Sequence, residues 1–182
     1  VLDIAVQVAR ALAHANSAFI LHRDVKPANV LVDATGHHVK LADFGLARLS
    51  DLQRSRTGIL AGTPAYMSPE QLAEGAQDAR ADLYSLGVVV FELLSGRLPY
   101  EATSLGALLR QVSQEPAMPV HRLRPDVPPA LSALVAGLLE KDPQRRPPDA
   151  YTLARGLEKV RSALPPAPPP ALRPGGARGP SP

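Results

Sequence analysis

Residues 22–29 read His-Arg-Asp-Val-Lys-Pro-Ala-Asn, and Asp43-Phe44-Gly45 follows after one short stretch of strand character. The first segment puts a carboxylate (Asp24), an ammonium (Lys26) and a carboxamide (Asn29) on one tight loop. The second adds a carboxylate, Asp43, just past a strand. Phosphoryl transfer from ATP needs such a set. One group accepts the proton of an attacking hydroxyl, a cation faces the moving phosphoryl, and hard oxygens hold Mg²⁺. Singly, Asp24 and Asn29 read as turn residues and Lys26 as a solvated surface lysine. Fixing the eight residues His22, Arg23, Asp24, Lys26, Asn29, Asp43, Phe44 and Gly45 at about 5% each puts chance on the order of 10⁻¹⁰ per register, so the set is read as a unit.

The elements around these residues are legible. Leu2, Ala5, Ala9, Leu12 and Ala13 recur at helical steps and predict a helix over 2–16. Residues 30–32 and 39–41 are strand candidates joined by a turn at Asp33-Ala34-Thr35-Gly36, so the two motifs flank a hairpin that keeps Asn29 near Asp43. Residues 46–67 lack periodicity and read as a long loop of the functional or disordered kind. Residues 82–95 are apolar on nearly every face, which predicts a buried central helix opened and capped by Asp82 and stopped by Gly96. Further helices are expected over 103–113, 129–140 and 149–164, with a Pro-rich stretch at 116–129. From Pro165 onward eight of 18 residues are Pro, which predicts a disordered linker or tail over 165–182 after one domain at 1–164.

Composition removes several classes. The 182 residues contain no Cys, excluding disulfides, Cys-ligated zinc and thiol nucleophiles. No apolar run is long enough to span a membrane, and Asp3 and Arg10 interrupt the first segment, so it is not a signal peptide. The net charge is +3, but two of the 20 Lys and Arg residues are Arg173 and Arg178 in the tail. The rest of the chain sets 18 basic against 17 acidic groups, with no basic stripe or stacking aromatics, so a nucleic-acid partner is not expected.

The loop His22-Arg23-Asp24-x-Lys26-x-x-Asn29 followed by Asp43-Phe44-Gly45 resembles the catalytic loop and metal-binding motif of protein kinases. Gly62-Thr63-Pro64-Ala65-Tyr66-Met67-Ser68-Pro69-Glu70 is similar to the substrate-docking end of their activation segment. Lys26, together with Thr63, resembles the serine/threonine class, and the whole pattern resembles its bacterial, eukaryotic-like members. The resemblance covers residues 1 to about 164 and implies a mainly α fold, the large lobe of a kinase domain. That lobe is a helical bundle around a buried central helix, with a small β-hairpin carrying the catalytic and metal loops.

By that resemblance Asp24 is the catalytic base, Lys26 and Thr63 stand beside it, and Asn29 and Asp43 hold Mg²⁺. Lys26, Asn29, Leu31 and Asp43 are expected to meet ATP, Leu31 as part of the adenine floor. His22 and Phe44 are expected to stack in the interior, with Gly45 completing the motif. Glu70 is expected to pair with Arg146 in a buried ion pair, and Asp82 to hold the catalytic-loop backbone. Arg23 is the expected ligand of an activation-loop phosphate, with Thr57 the first candidate phosphosite and Ser55 the second.

The Gly-rich phosphate loop, strand Lys and partner Glu of the family's small lobe are not found in the sequence. The implied reading is therefore a kinase fragment whose small lobe is expected upstream. It would act on a Ser or Thr of a protein substrate and be inactive by itself. Its expected location is cytoplasmic, including the cytoplasmic part of a membrane-anchored kinase. The alternative is a non-catalytic, pseudokinase-like binding module, against which stands the retention of Asp24, Asn29 and Asp43. Aminoglycoside and lipid kinases resemble the catalytic loop but generally lack the Gly-Thr-Pro-x-Tyr and Pro-Glu segment. Asn16 stands where relatives often carry His, Phe19 where they often carry Gly, and Ser68 where Ala is usual. Phe19 is expected to distort the approach to the catalytic loop.

Overall fold

A computed structural model describes residues 1–44 and 63–164. Gly45, Ser55 and Thr57 lie outside the described residues, and for Thr63 only the backbone is described. Helix α1 (Leu2–Ser17) buries Ala5, Val6, Ala9 and Leu12 along one face. That face lies on the last helix, α7 (Ala150–Ala163), which buries Leu153 and Leu157 in return. The ion pairs Arg10–Glu158 (2.6 Å) and Arg161–Asp3 (3.0 Å) line the edges of this contact. Being exposed, each contributes less than about 1 kcal/mol, so apolar burial holds the pair together.

The strands β1 (Val30–Val32) and β2 (Val39–Leu41) pair antiparallel with Val30 opposite Leu41 and Val32 opposite Val39. Their turn closes where expected. The Gly36 N–H donates to the Asp33 carbonyl at 3.0 Å, and Gly36 takes φ +74°, which a residue without Cβ adopts at little cost.

Helix α2 (Pro69–Leu72) is a single turn, and α3 (Ala79–Ser95) is the central post. Every residue of α3 from Ala81 to Phe91 is buried. Around it stand α1, α5 (Val120–Leu123), α6 (Pro129–Leu138) and α7, while α4 (Leu105–Gln114) packs near α2. Gly87 lets α3 approach α6: a Cβ there would fall 2.6 Å from the Leu138 Cβ. At the far end Gly96 stops α3 at φ +76° and donates its N–H to the Glu92 carbonyl at 2.8 Å.

Two expectations are corrected. The central helix starts at Ala79, and its cap is Asp78, which accepts the Arg80 N–H at 2.8 Å. Asp82 lies one turn inside and caps nothing. The apolar run begins only at Leu83, so the polar first turn carries no periodic signal. Within the Pro-rich stretch 116–129 the chain also makes α5, with Val120 and Val127 buried. One helical turn is too short to show a repeat.

Candidate active site

The loop at 22–29 is built from its backbone outward. His22 is fully buried, and its Nε2 lies 2.8 Å from the Ala42 carbonyl. A carbonyl only accepts, so Nε2 carries the proton and Nδ1 is left to accept the Asp24 N–H at 3.3 Å. One imidazole thus ties the loop carrying Asp24 to the strand end carrying Asp43. The Ala42 N–H also donates to the Asn29 carbonyl at 2.9 Å, extending the β1–β2 ladder by one step. The hairpin is anchored in turn by Gln7 of α1. Its Nε2 donates to the His37 carbonyl and its Oε1 accepts the Val39 N–H, both at 3.0 Å.

Arg23 and Asp43 sit at φ +68° and +61°, a region open to Asp but sparsely used by Arg. Arg23 stays there because both of its peptide groups are gripped. Its N–H donates to Asp82 Oδ1 at 2.7 Å, and its carbonyl accepts from Gln71 Nε2 at 3.0 Å. Asp82 Oδ2 accepts the His22 N–H at 2.8 Å. Burial raises the Asp82 carboxyl above the usual carboxylate range, and these two N–H groups oppose that rise. The Arg23 side chain is exposed.

Asp24 is the centre of the cluster. Its Oδ2 accepts from Asn29 Nδ2 at 3.0 Å and pairs with Lys26 Nζ at 2.7 Å. Asn29, itself buried, also donates Nδ2 to the Asp24 carbonyl at 2.8 Å. The carboxamide therefore faces Asp24 with its nitrogen and keeps its oxygen as the remaining acceptor or ligand atom. Asp43 is exposed just past β2. Leu31 is 54% exposed on β1, two residues after Asn29. Phe44 packs tilted on the His22 ring, centroids 4.6 Å apart, but is 37% exposed rather than interior. No described residue covers its outer face.

The segment after Thr63 is fixed by two side chains. Tyr66 donates its hydroxyl to Glu92 Oε2 on α3 at 2.7 Å, and burial together with that carboxylate pushes the phenol pKa up. Glu70 takes both guanidinium arms of Arg146, at 2.6 and 2.8 Å. The buried Arg146 also donates to the carbonyls of Arg80, Glu140 and Lys141, and lies 4.9 Å over the Tyr84 ring. A buried pair with every donor satisfied fixes geometry, and removing one partner typically costs about 3–5 kcal/mol.

Asp24, Lys26, Asn29, His22 and Asp82 are thus brought together, with Asp43 and Phe44 at the rim. Glu70 and Arg146 stand apart and hold the segment below. Gln7, Gln71 and Glu92 were missed by sequence reasoning. For Gln71 a signal existed, since Ser68 with Gln three residues on spells a capping box, which the structure forms. Its second contact, to Arg23, leaves no local trace.

The protein kinase domain model matches residues 1–155. The serine/threonine-protein kinase pkn3 of Myxococcus xanthus is 38% identical over 171 residues, 88% of this chain and 31% of that protein. The DNA damage-responsive serine/threonine-protein kinase RqkA of Deinococcus radiodurans is 43% identical over 84% of the chain and 23% of its own length. The PknI kinase domain of Mycobacterium tuberculosis, in a crystal structure of a point mutant, superposes with a TM-score of 0.66 at 28% identity. That match covers 88% of this chain and 54% of the other. This chain therefore spans about a third or less of these two relatives and about half of the solved kinase domain. Among the described residues no helix is long and apolar enough to cross a membrane. On the domain match, these relatives and the shared fold, the chain belongs to the protein kinase family, in its bacterial serine/threonine type.

Proposed function

We propose that residues 1–164 form the large lobe of a serine/threonine protein kinase that moves the γ-phosphoryl of Mg·ATP to a Ser or Thr hydroxyl of a protein substrate. Residues 165–182 act as a linker, and the small lobe is carried outside these 182 residues. The observation that carries this is the Asp24 carboxylate, held by Asn29 at 3.0 Å and Lys26 at 2.7 Å on a loop tied through His22 to the strand end before Asp43.

The donor chemistry fits the metal. Asn29 spends its nitrogen on Asp24 and offers an amide oxygen, and Asp43 offers a carboxylate. No group of three or more His, Cys, Asp and Glu that could hold a metal exists among the described residues. Two hard oxygens with no closed cage suit Mg²⁺, which takes its other ligands from phosphate and water. When bound, Mg·ATP would supply the phosphoryl group and neutralise charge around it.

The chain's own part is positioning. Asp24 accepts the proton of the incoming hydroxyl, Lys26 offsets charge at the moving group, and Thr63 is the third member of the catalytic set. Leu31 supplies the apolar floor for adenine. The exposed Arg23 receives a phosphate on Thr57, or second Ser55, and so orders the activation loop. Dependence on ATP would place the protein in the cytoplasm.

The test is phosphate incorporation from labelled ATP by the intact protein. Asp24→Asn and Asp43→Asn should each reduce it at least 100-fold. Full activity in either variant would remove the proposed site, and no transfer by the parent protein would favour a non-catalytic binding module.

A further inference from the structure

Gln71 has two jobs that lie on opposite sides of its carboxamide. The oxygen side belongs to α2: Oε1 accepts the Ser68 N–H at 2.9 Å, and the Gln71 N–H donates to Ser68 Oγ at 3.3 Å, closing a capping box. The nitrogen side leaves the helix, and Nε2 donates to the Arg23 carbonyl at 3.0 Å. Gln71 is 7% exposed, so water does not readily replace that bond. The carbonyl it holds belongs to the peptide joining Arg23 to Asp24. Arg23 is also the residue held at φ +68°, and its N–H is held from the other side by Asp82.

We propose that Gln71 is a positioning residue, which couples the end of the segment at 63–70 to the carboxylate of Asp24 through the Arg23 carbonyl. This rests on the kinase reading above. Asp82 belongs to the central helix and cannot shift without the core. Gln71 sits on a one-turn helix at the end of the segment expected to dock substrate, next to Glu70, whose anchor is Arg146. Movement of that segment therefore reaches the peptide before Asp24 through one hydrogen bond. Misplacement of a reacting group by about 1 Å can cost 100-fold in rate, so one lost positioning bond is readable in turnover.

Gln71→Glu separates the two jobs. The carboxylate keeps an oxygen for the Ser68 N–H and so keeps the cap, but it turns an acceptor toward the Arg23 carbonyl. A protonated Glu would restore a donor there while its other oxygen still serves Ser68. In the intact protein, kcat of the variant at pH 8 should fall about 10-fold or more, with KM for Mg·ATP within about twofold of the parent. The ratio of variant to parent kcat should climb as pH is lowered from 8 to 6. Backbone hydrogen exchange at Arg23 and Asp24, followed without substrate, should quicken in the variant at pH 8. A pH-independent ratio near 1 with unchanged exchange would overturn the proposal. A parent protein with no Asp24-dependent phosphate transfer would instead overturn the kinase reading, and the exchange measurement would still decide whether Gln71 holds the loop.

Discussion

Asp82 grips the backbone of Arg23: the buried carboxylate takes the Arg23 N–H at 2.7 Å and keeps that residue at φ +68°. Its second oxygen takes the N–H of His22. The central helix thereby dictates the shape of a loop 59 residues away in sequence. Asp82→Asn would set an amide against these two N–H donors and leave one of them unpaired and buried. Such an orphan costs about 1–3 kcal/mol. Urea unfolding should show that loss, and phosphate transfer by the intact protein should fall with it. Unchanged stability together with full transfer would mean the loop holds its shape without Asp82.

Phe19 carries a local cost that can be recovered. It is 97% exposed and sits at φ +59°, where α1 ends. The Ile20 N–H reaches back to the Ala15 carbonyl and the Phe19 N–H to the Asn16 carbonyl, the hydrogen-bond pattern that Gly normally closes at a helix end. The downstream loop keeps its hydrogen bonds, so the expected distortion is confined to this one φ. A left-handed non-Gly residue costs about 1–2 kcal/mol, partly offset by the greater chain entropy that Gly loses on folding. Phe19→Gly should therefore raise stability by about 0.5–1 kcal/mol, visible as a higher urea midpoint. A lower midpoint would show that the ring contributes more than its exposure suggests.

Gly87 should tolerate no side chain. The close approach of α3 to α6 leaves 2.6 Å between an added Cβ and the Leu138 Cβ, and 3.3 Å to Leu139 Cδ2. The nearer atom is rooted in the helix and cannot swing aside. Gly87→Ala should cost about 1–3 kcal/mol despite its better helix propensity. A gain in thermal midpoint would mean the two helices separate at little cost.

Lys141 makes stability depend on pH. Its Nζ lies 2.5 Å from the Tyr100 hydroxyl and 4.2 Å from that ring's centroid. Burial first, and the Arg146 guanidinium second, lower its pKa from 10.5 to about 8, while Glu140 and Glu115 oppose. Between those values the unfolded chain holds a proton that the folded chain has released, so this group makes stability rise with pH there. Below about pH 8 both states are charged and the penalty is fully present. Tyr100 and Tyr84, raised by burial, act in the opposite sense above pH 10, when unfolded tyrosines ionise first. Comparing pH 7 with pH 9.5 isolates the lysine. Relative to Lys141→Met, the parent should gain about 1 kcal/mol, a figure reduced for the solvent that reaches this half-buried group. Parallel pH profiles for the two proteins would show that Lys141 is not depressed.

The local parts of this protein were legible in the order of its residues. Strands at 30–32 and 39–41, the turn at Asp33–Gly36, the helix over the first 16 or 17 residues and the buried post ending at Gly96 all rest on short-range signals: alternation, helical periodicity and backbone freedom at Gly. The chemical identity of the loop was legible for the same reason, because Asp24, Lys26 and Asn29 are close in sequence. Beyond the Glu70–Arg146 pair and the hold of Asp82 on the loop, what the polar side chains bind was settled only by the packed fold. Asp82, expected both to cap the central helix and to hold the catalytic-loop backbone, does only the second, since Asp78 occupies the cap. Gln71 read as nothing and reaches the Arg23 carbonyl; Gln7 clamps the hairpin; Phe44 stacks on His22 as expected yet stays partly open. A buried polar group must find a partner wherever the fold puts one, and that partner lies dozens of residues away, where no spacing in the sequence records it.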